Sequence, residues 1–341
     1  MMPATAAPTI ACFGEILLRL GVNCGERLDD ARALGVVVGG AEANVAVGMA
    51  SLGWQARMIS AVPANALGTR AVAALAGAGV DVAPVVRAPG RMGLYFLEPG
   101  ACLRASQVVY DRAGSAFAGA GAALFDFDRA LAGVKLLHLS GITAALGPGG
   151  LALSLAAIAA ARAAGAMISF DPNYRDLLWS AWDSDPRGAL TQLVNQADIL
   201  FANHRDMTLL LGQPFAGDGA QRRSAAAQAA FAAFPRLQAM ASTARTVLSQ
   251  THHRLSARVD TRTGSHQTDA IDVTDIIDRI GTGDAFATGV LHTWLRGGSP
   301  AAMASAGLAA SAYKHGIHGD WCRLTPAAIA AVPANGNDVA R

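Results

Sequence analysis

Asp278-Arg279-Ile280-Gly281-Thr282-Gly283-Asp284-Ala285-Phe286 is the stretch from which the rest of the chain can be ordered. An apolar segment precedes it, and Ala285 to Leu295 reads as a helix after it. Gly281 and Gly283 flank Thr282 and carry no side chain to obstruct the approach of a ligand to backbone N–H groups. With Gly283 opening a helix, those groups sit at its positive end, an arrangement that binds phosphate. Asp284 then lies in the first turn, where a carboxylate can accept the proton of an attacking hydroxyl. Taken alone, such a segment reads first as a plain turn whose aspartate complements the helix dipole. It requires a second anchor.

Outward from this turn, the chain repeats a short apolar run, a glycine-rich turn and an alanine-rich helical stretch. Thr9 to Phe13, Arg57 to Ala61, Val134 to Leu139, Met167 to Phe170 and Ile199 to Ala202 read as strands. Ala41 to Leu52, Thr69 to Ala78, Gly149 to Ala164, Arg187 to Asn195 and the alanine-rich Ala216 to Ala233 read as helices. Thr246 to Ser249 and Leu255 to Val259 are further strands, with His252 and His253 in a solvent-facing loop between them. This alternation predicts an α/β fold, a doubly wound and mostly parallel sheet with helices on both faces. Two stretches, about 16–38 and 91–112, carry strand-like runs with no helix between them. Excursions of this kind at strand ends tend to cover a ligand crevice, or else form ordinary surface hairpins. One domain over residues 1–332 is expected, followed by a small, polar and disordered tail at 333–341.

Composition sets limits on this picture. The 341 residues are 52% apolar, enough for a large core. The net charge is +2 and the basic residues are scattered, so there is no stripe for nucleic acid. Cys12, Cys24, Cys102 and Cys322 have no zinc-ligand spacing and read as free thiols of a cytoplasmic protein. The first residues lack the charged-then-apolar pattern of a secretory signal. The apolar run Leu151 to Phe170 is interrupted by Arg162 and Gly165, and reads as a helix and a strand rather than a membrane span.

The second anchor is Gly39-Gly40-Ala41-Glu42-Ala43-Asn44-Val45-Ala46-Val47-Gly48. A double glycine opens a helix here, and Asn44 follows within its first turn, able both to donate and to accept. Together, in this order and this far apart, the two segments resemble the N-terminal and C-terminal signatures of the ribokinase-like (PfkB) carbohydrate kinases. The resemblance runs from about Ile10 to about Leu324. Within that family the chain looks most like the 2-keto-3-deoxygluconate kinases, on Gly93-Leu94-Tyr95-Phe96, Val109-Tyr110-Asp111-Arg112-Ala113-Gly114-Ser115-Ala116, Leu137-His138-Leu139-Ser140-Gly141-Ile142-Thr143, Asp171-Pro172-Asn173-Tyr174-Arg175 and Lys314-His315-Gly316-Ile317-His318-Gly319-Asp320.

The resemblance implies a small β lid made from the two excursions, closing over an acid sugar. It implies ATP-dependent phosphorylation of the terminal hydroxyl of 2-keto-3-deoxygluconate, with Asp284 as base and the Gly281–Gly283 backbone as anion hole. Gly40, Ala41, Glu42 and Asn44 would face the sugar. Tyr95, Tyr110 and Arg112 would reach it from the lid, or else serve as lid-core aromatics and a structural ion pair. Arg175 would lie on the core side of the same pocket, or else form a structural ion pair with Asp171 or Asp176, and Asp320 would border the pocket or form an ordinary turn. Arginine suits the sugar carboxylate because its fork binds one bidentately. Asn203 and Ser249 would lie on the ATP side, with Mg2+ bridging the phosphates. Many family members carry Asn-x-x-Glu near the metal. Asn203-His204-Arg205-Asp206 stands there in this chain, so Asp206 is either a metal-side residue acting through water or a plain helix start. The resemblance leaves room for a homo-oligomer and asks for no nucleic acid or membrane.

Other readings are weaker. His204-Arg205-Asp206 is no protein-kinase catalytic loop, because Leu211 stands where its asparagine is required. A dinucleotide-binding dehydrogenase would need Gly-x-Gly-x-x-Gly where Phe13-Gly14-Glu15-Ile16 stands. A kinase for a neutral sugar such as fructose or ribose is the principal alternative, and a non-catalytic sugar- or nucleotide-binding module the remote one.

Overall fold

The computed structural model describes residues 9–331; the tail at 333–341 lies outside them. The strands are β1 (Thr9–Phe13), β2 (Leu17–Gly21), β3 (Gly35–Gly39), β4 (Gln55–Pro63), β5 (Val85–Ala88), β6 (Gly93–Glu98), β7 (Gln107–Asp111), β8 (Val134–Ser140), β9 (Met167–Asp171), β10 (Ile199–Phe201), β11 (Ala239–Ser249), β12 (His252–Thr261), β13 (Ser265–Gln267) and β14 (Ile271–Val273). Ten of them form one sheet in the order β13-β12-β11-β10-β9-β8-β1-β4-β5, with β14 also paired to β12. From β11 to β5 every pairing is parallel. β12 runs antiparallel to β11, β13 and β14.

Alternation along β1 shows why both faces are covered. Ile10 and Cys12 enter one apolar core, and Ala11 and Phe13 enter another. The first core takes Val45 and Met49 from the helix Ala41–Ser51 and Phe286 and Val290 from the helix Thr282–Leu295. The second takes Leu153 and Ala157 from the helix Gly150–Ala163 and Leu190 from the helix Pro186–Val194. Phe13 is fully buried, with the rings of Phe117, Phe125 and Phe127 each 5.6 Å away. Burying such a side chain stabilises the fold by about 2 kcal/mol. The parallel sheet with helices on both faces is therefore the architecture the alternation predicts.

The two excursions pair with each other. They form a four-stranded sheet, β3-β2-β6-β7, in which β2 and β6 are parallel. Leu17, Tyr95 and Leu97 on its inner face pack with Val108 and Tyr110 and around Ile280 of the glycine turn. The lid thus rests on the segment that leads to Asp284.

Some boundaries differ from expectation. The helix expected from Thr69 starts at Ala66, because the Asn65 side chain accepts from Leu67 N at 3.0 Å and Gly68 N at 3.1 Å. β11 and β12 form a hairpin several residues longer than their apolar runs suggest. His253 is accordingly not in a loop: it is fully buried on β12, its ring edge-on to His315 at 5.9 Å. All four cysteines are free. No described helix is long and apolar enough to cross a membrane.

Candidate active site

In an open α/β sheet, ligands bind in the crevice beyond the carboxyl ends of the strands. Here the residues that follow β1, β8, β9 and β10 meet the N-termini of two helices. Gly40 caps the helix Ala41–Ser51 with φ 130°, and a side chain there would come within 2.3 Å of the Glu15 carbonyl. Only glycine fits both demands. Asn44 N donates to Gly40 O at 2.7 Å, which sets the Asn44 side chain in the first turn. Gly281 caps the helix Thr282–Leu295 in the left-handed region, φ 81°, and Ala285 N donates to its carbonyl at 2.9 Å. The first-turn N–H groups of Gly283 and Asp284 have no intrahelical acceptor. A side chain at Gly283 would meet nothing within 4 Å, so this end of the helix is open.

The two glycine signatures meet at one contact: Asn44 Nδ2 donates to Asp284 Oδ2 at 2.6 Å, across 240 residues of chain. Burial raises the Asp284 carboxyl to about 7, against the stabilising Asn44 hydrogen bond, with Glu42 and Asp320 adding repulsion. The Oδ1 of Asn44 is buried and has no hydrogen-bond partner among the described residues. Asp171, at the end of β9, is raised to about 8 by burial and then by Asp206 and Asp284. Three carboxylates thus share one region, and Arg175 acts favourably on each of them. Arg175 makes no ion pair among the described residues, its Nη1 donating only to Tyr174 O at 3.2 Å.

Other expected site residues sit differently. Ala41 begins its helix, and Glu42 is buried: its Oε1 accepts from Ser140 Oγ at 2.5 Å, beneath Gly14, and burial raises its carboxyl. Arg112 forms the structural ion pair that was one of its two expected roles. Its Nε donates to buried Glu15 at 2.6 Å, while its two Nη nitrogens make no hydrogen bond among the described residues. Tyr95 does not offer its hydroxyl to the crevice, because it donates to Asp320 Oδ2 at 2.7 Å. Asp320 is correspondingly 2% exposed and faces Arg19, not open space. Tyr110 pairs with Tyr95 across β6 and β7 and remains half-buried.

On the nucleotide side, Asn203 and Asp206 form a capping box. Asn203 Oδ1 accepts from Arg205 N at 2.8 Å, and Asp206 Oδ2 accepts from Asn203 N at 2.8 Å. The helix-start reading of Asp206 therefore holds, yet the box also places its carboxylate beside Asp171. Ser249 is exposed at the β11–β12 turn and accepts from Thr251 N at 3.3 Å. A cleft of about 410 Å³ lies between the lid and Ile276–Ile280, lined by Arg19, Val37, Leu97, Gln250 and Arg279; Asp284 and Asn44 do not line it.

Sequence reading missed Asp171 as a site carboxylate, and it missed Glu15 and Arg19. The position of Asp171 at the carboxyl end of a parallel strand was a usable signal. Glu15 and Arg19 gave none, since their partners are Arg112, Asp278 and Asp320.

The chain is similar to known proteins over nearly its whole length. The profile of the pfkB family carbohydrate kinases matches residues 7–320. A 2-dehydro-3-deoxygalactonokinase of Haloferax volcanii is 33% identical over 331 residues, 96% of this chain and 97% of that protein. The crystal structure of a 2-dehydro-3-deoxygluconokinase from Thermotoga maritima superimposes with TM-score 0.90 at 32% identity, covering 96% of this chain and all of that one. A fructokinase of Xylella fastidiosa with bound ATP shares the fold at TM-score 0.73 and 22% identity, over 95% of this chain and 97% of that one. With its two glycine signatures joined at one carboxylate and the family profile running through nearly its whole length, the chain belongs to the pfkB family of carbohydrate kinases.

Proposed function

We propose that the protein transfers the γ-phosphoryl group of ATP to the terminal hydroxyl of 2-keto-3-deoxygluconate, giving 2-keto-3-deoxy-6-phosphogluconate. The observation that carries this reading is the 2.6 Å contact between Asn44 and Asp284, which joins the sugar-side and phosphate-side signatures. Asp284 takes the hydroxyl proton as the sugar oxygen forms its bond to phosphorus and the bond to ADP breaks. The first-turn N–H groups at Gly281–Gly283 hold the negative charge on the transferred group. Arg175 and the free Nη edge of Arg112 supply cations for the sugar carboxylate. The relatives named for 2-keto-3-deoxy acid sugars support that substrate class. The galactonate epimer is the second reading, favoured by the Haloferax relative.

Mg2+ fits the donor set. Asp171 and Asp206 are neighbouring hard-oxygen carboxylates, the charge of Asp206 adding to the burial that raises Asp171, and Mg2+ is ordinarily held by one or two carboxylates together with substrate phosphates. Bound there, it would neutralise phosphate charge. No three described His, Cys, Asp or Glu side chains converge as a metal cage, in keeping with a metal held largely by nucleotide. Four free thiols suit a cytoplasmic enzyme.

A panel of 2-keto-3-deoxygluconate, 2-keto-3-deoxygalactonate, fructose, ribose and adenosine with ATP and Mg2+ tests the substrate. The acid sugars are expected to exceed the neutral ones in kcat/KM by at least about 10²-fold, the scale of a bidentate charged contact. A preference for fructose or ribose would overturn the acid-sugar reading. The base has its own signature. Because Asp284 acts only when ionised and its carboxyl titrates at about 7, kcat/KM is expected to fall as pH drops through 7, not through 4. Asn44→Ala removes a hydrogen bond that favours the ionised form, so this acid limb moves to higher pH. An acid limb that stays near 4 in both proteins would contradict the role of Asp284.

A further inference from the structure

Arg19 belongs to the lid strand β2, but its guanidinium is buried among core carboxylates. Nη2 lies 2.7 Å from Asp278 Oδ2, and Nη1 lies 3.1 Å from Asp320 Oδ1. The second approach is the longer one, and neither Nη1 nor Oδ1 makes a hydrogen bond among the described residues. Tyr95, from lid strand β6, holds the other oxygen of Asp320. Two lid strands therefore end on two core aspartates.

Those aspartates shape the phosphate turn. Asp278 Oδ1 accepts from Ile280 N at 2.9 Å, and its Oδ2 accepts from Gly319 N at 3.0 Å. Asp320 is the surface on which both signatures lie: a side chain at Gly281 would come within 2.0 Å of its carbonyl, and one at Gly39 within 2.1 Å of its carboxylate. Lys314 closes the cluster from below, donating to Ile317 O at 2.8 Å and Asp278 O at 3.4 Å. The cluster holds two cations, two carboxylates and a phenol, all buried. Buried ion pairs add little net stability, but they are directional and fix one register. The apolar packing of Leu17 and Leu97 around Ile280 has no such direction.

We propose that Arg19 is a positioning residue for phosphoryl transfer, carrying the seat of the lid through Asp278 and Asp320 into the Gly281–Asp284 turn. Sugar under the lid and nucleotide phosphate on the turn then bind with positive coupling. The proposal rests on the kinase reading above.

Calorimetric titration of the full chain with Mg2+ and a non-hydrolysable ATP analogue, with and without saturating 2-keto-3-deoxygluconate, tests it. In the wild type the sugar is expected to tighten nucleotide binding about 10-fold, within the usual range for coupled sites. Arg19→Lys keeps one cation but cannot span both aspartates. Its coupling is expected to fall below about 2-fold and its kcat by about 10²-fold, the scale of a 1 Å misplacement, while each ligand alone binds nearly as before. A merely structural role would lower the folded fraction and leave the coupling factor unchanged. Arg19→Gln with Asp320→Asn removes one charge of each sign and guards against loss of fold. It is expected to show the same lost coupling. Full coupling in a folded Arg19→Lys, or independent binding of the two ligands by the wild type, overturns the latch alone. A wild type that fails to bind the acid sugar strikes the substrate reading, and the latch with it.

Discussion

Asp284→Asn is expected to lower kcat by about 10³-fold, the middle of the range for a general base, while nucleotide still binds. The substitution keeps shape and hydrogen bonding. The new amide oxygen can still accept from Asn44 Nδ2, now 2.6 Å from the carboxylate. What is lost is the group proposed to take the hydroxyl proton, and with it the negative charge that burial and Glu42 already disfavour. Removing a strained charge from a crowded carboxylate region should not destabilise the fold, so the variant is expected to melt at or slightly above the wild-type temperature. The sign follows from its raised carboxyl: a buried group that resists ionisation makes the ionised fold less stable above the unfolded carboxylate range. Steady-state kinetics, nucleotide titration and thermal melting decide the matter together. A variant that retains more than about a tenth of the wild-type kcat would remove Asp284 from its role.

How far the site could be read from sequence depends on the kind of interaction. Gly40, Gly281 and Asn44 were legible because each answers a local demand, a positive φ or a helix first turn. The meeting of Asn44 with Asp284 followed from a resemblance rather than from any spacing, since 240 residues separate them. The ion pairs of Glu15 with Arg112 and Arg19 with Asp278 were not legible, because charge carries no period that names its partner. For Tyr95 and Asp320 the sequence leaves a sugar-facing and a structural reading open, and the hydrogen bond between them, from lid to core, has no local signal. Strand β11 was read from Thr246 although it starts at Ala239. Ala239-Met240-Ala241-Ser242 lacks β-branched residues, and its strand state comes from parallel pairing with β10. His253 was misplaced for the same reason: the hairpin extends into a polar stretch by cross-strand pairing that the local sequence does not announce.

A pair of glycine substitutions in one turn separates architecture from chemistry. Gly281→Ala introduces a side chain at φ 81° and drives it to 2.0 Å from the Asp320 backbone carbonyl. The left-handed backbone costs about 1–2 kcal/mol, and the clash forces the turn to move, so a total loss of about 2–4 kcal/mol is expected. Melting should fall by about 3–6 °C, and kcat by at least about 10²-fold as the turn deforms. Gly283→Ala meets nothing within 4 Å and sits in helical backbone, where alanine is favoured over glycine. Its melting temperature is therefore expected to hold or rise. Its methyl group, however, stands on the open end of the helix, where the proposed function puts the transferred phosphoryl group. Nucleotide KM should rise and kcat should fall by about 10²-fold, the scale for losing one oxyanion contact. Two neighbouring substitutions of the same chemistry then diverge, one losing fold and catalysis and the other catalysis alone. Full activity in a stable Gly283→Ala protein would mean that the helix end does not hold phosphate, whatever else Asp284 does.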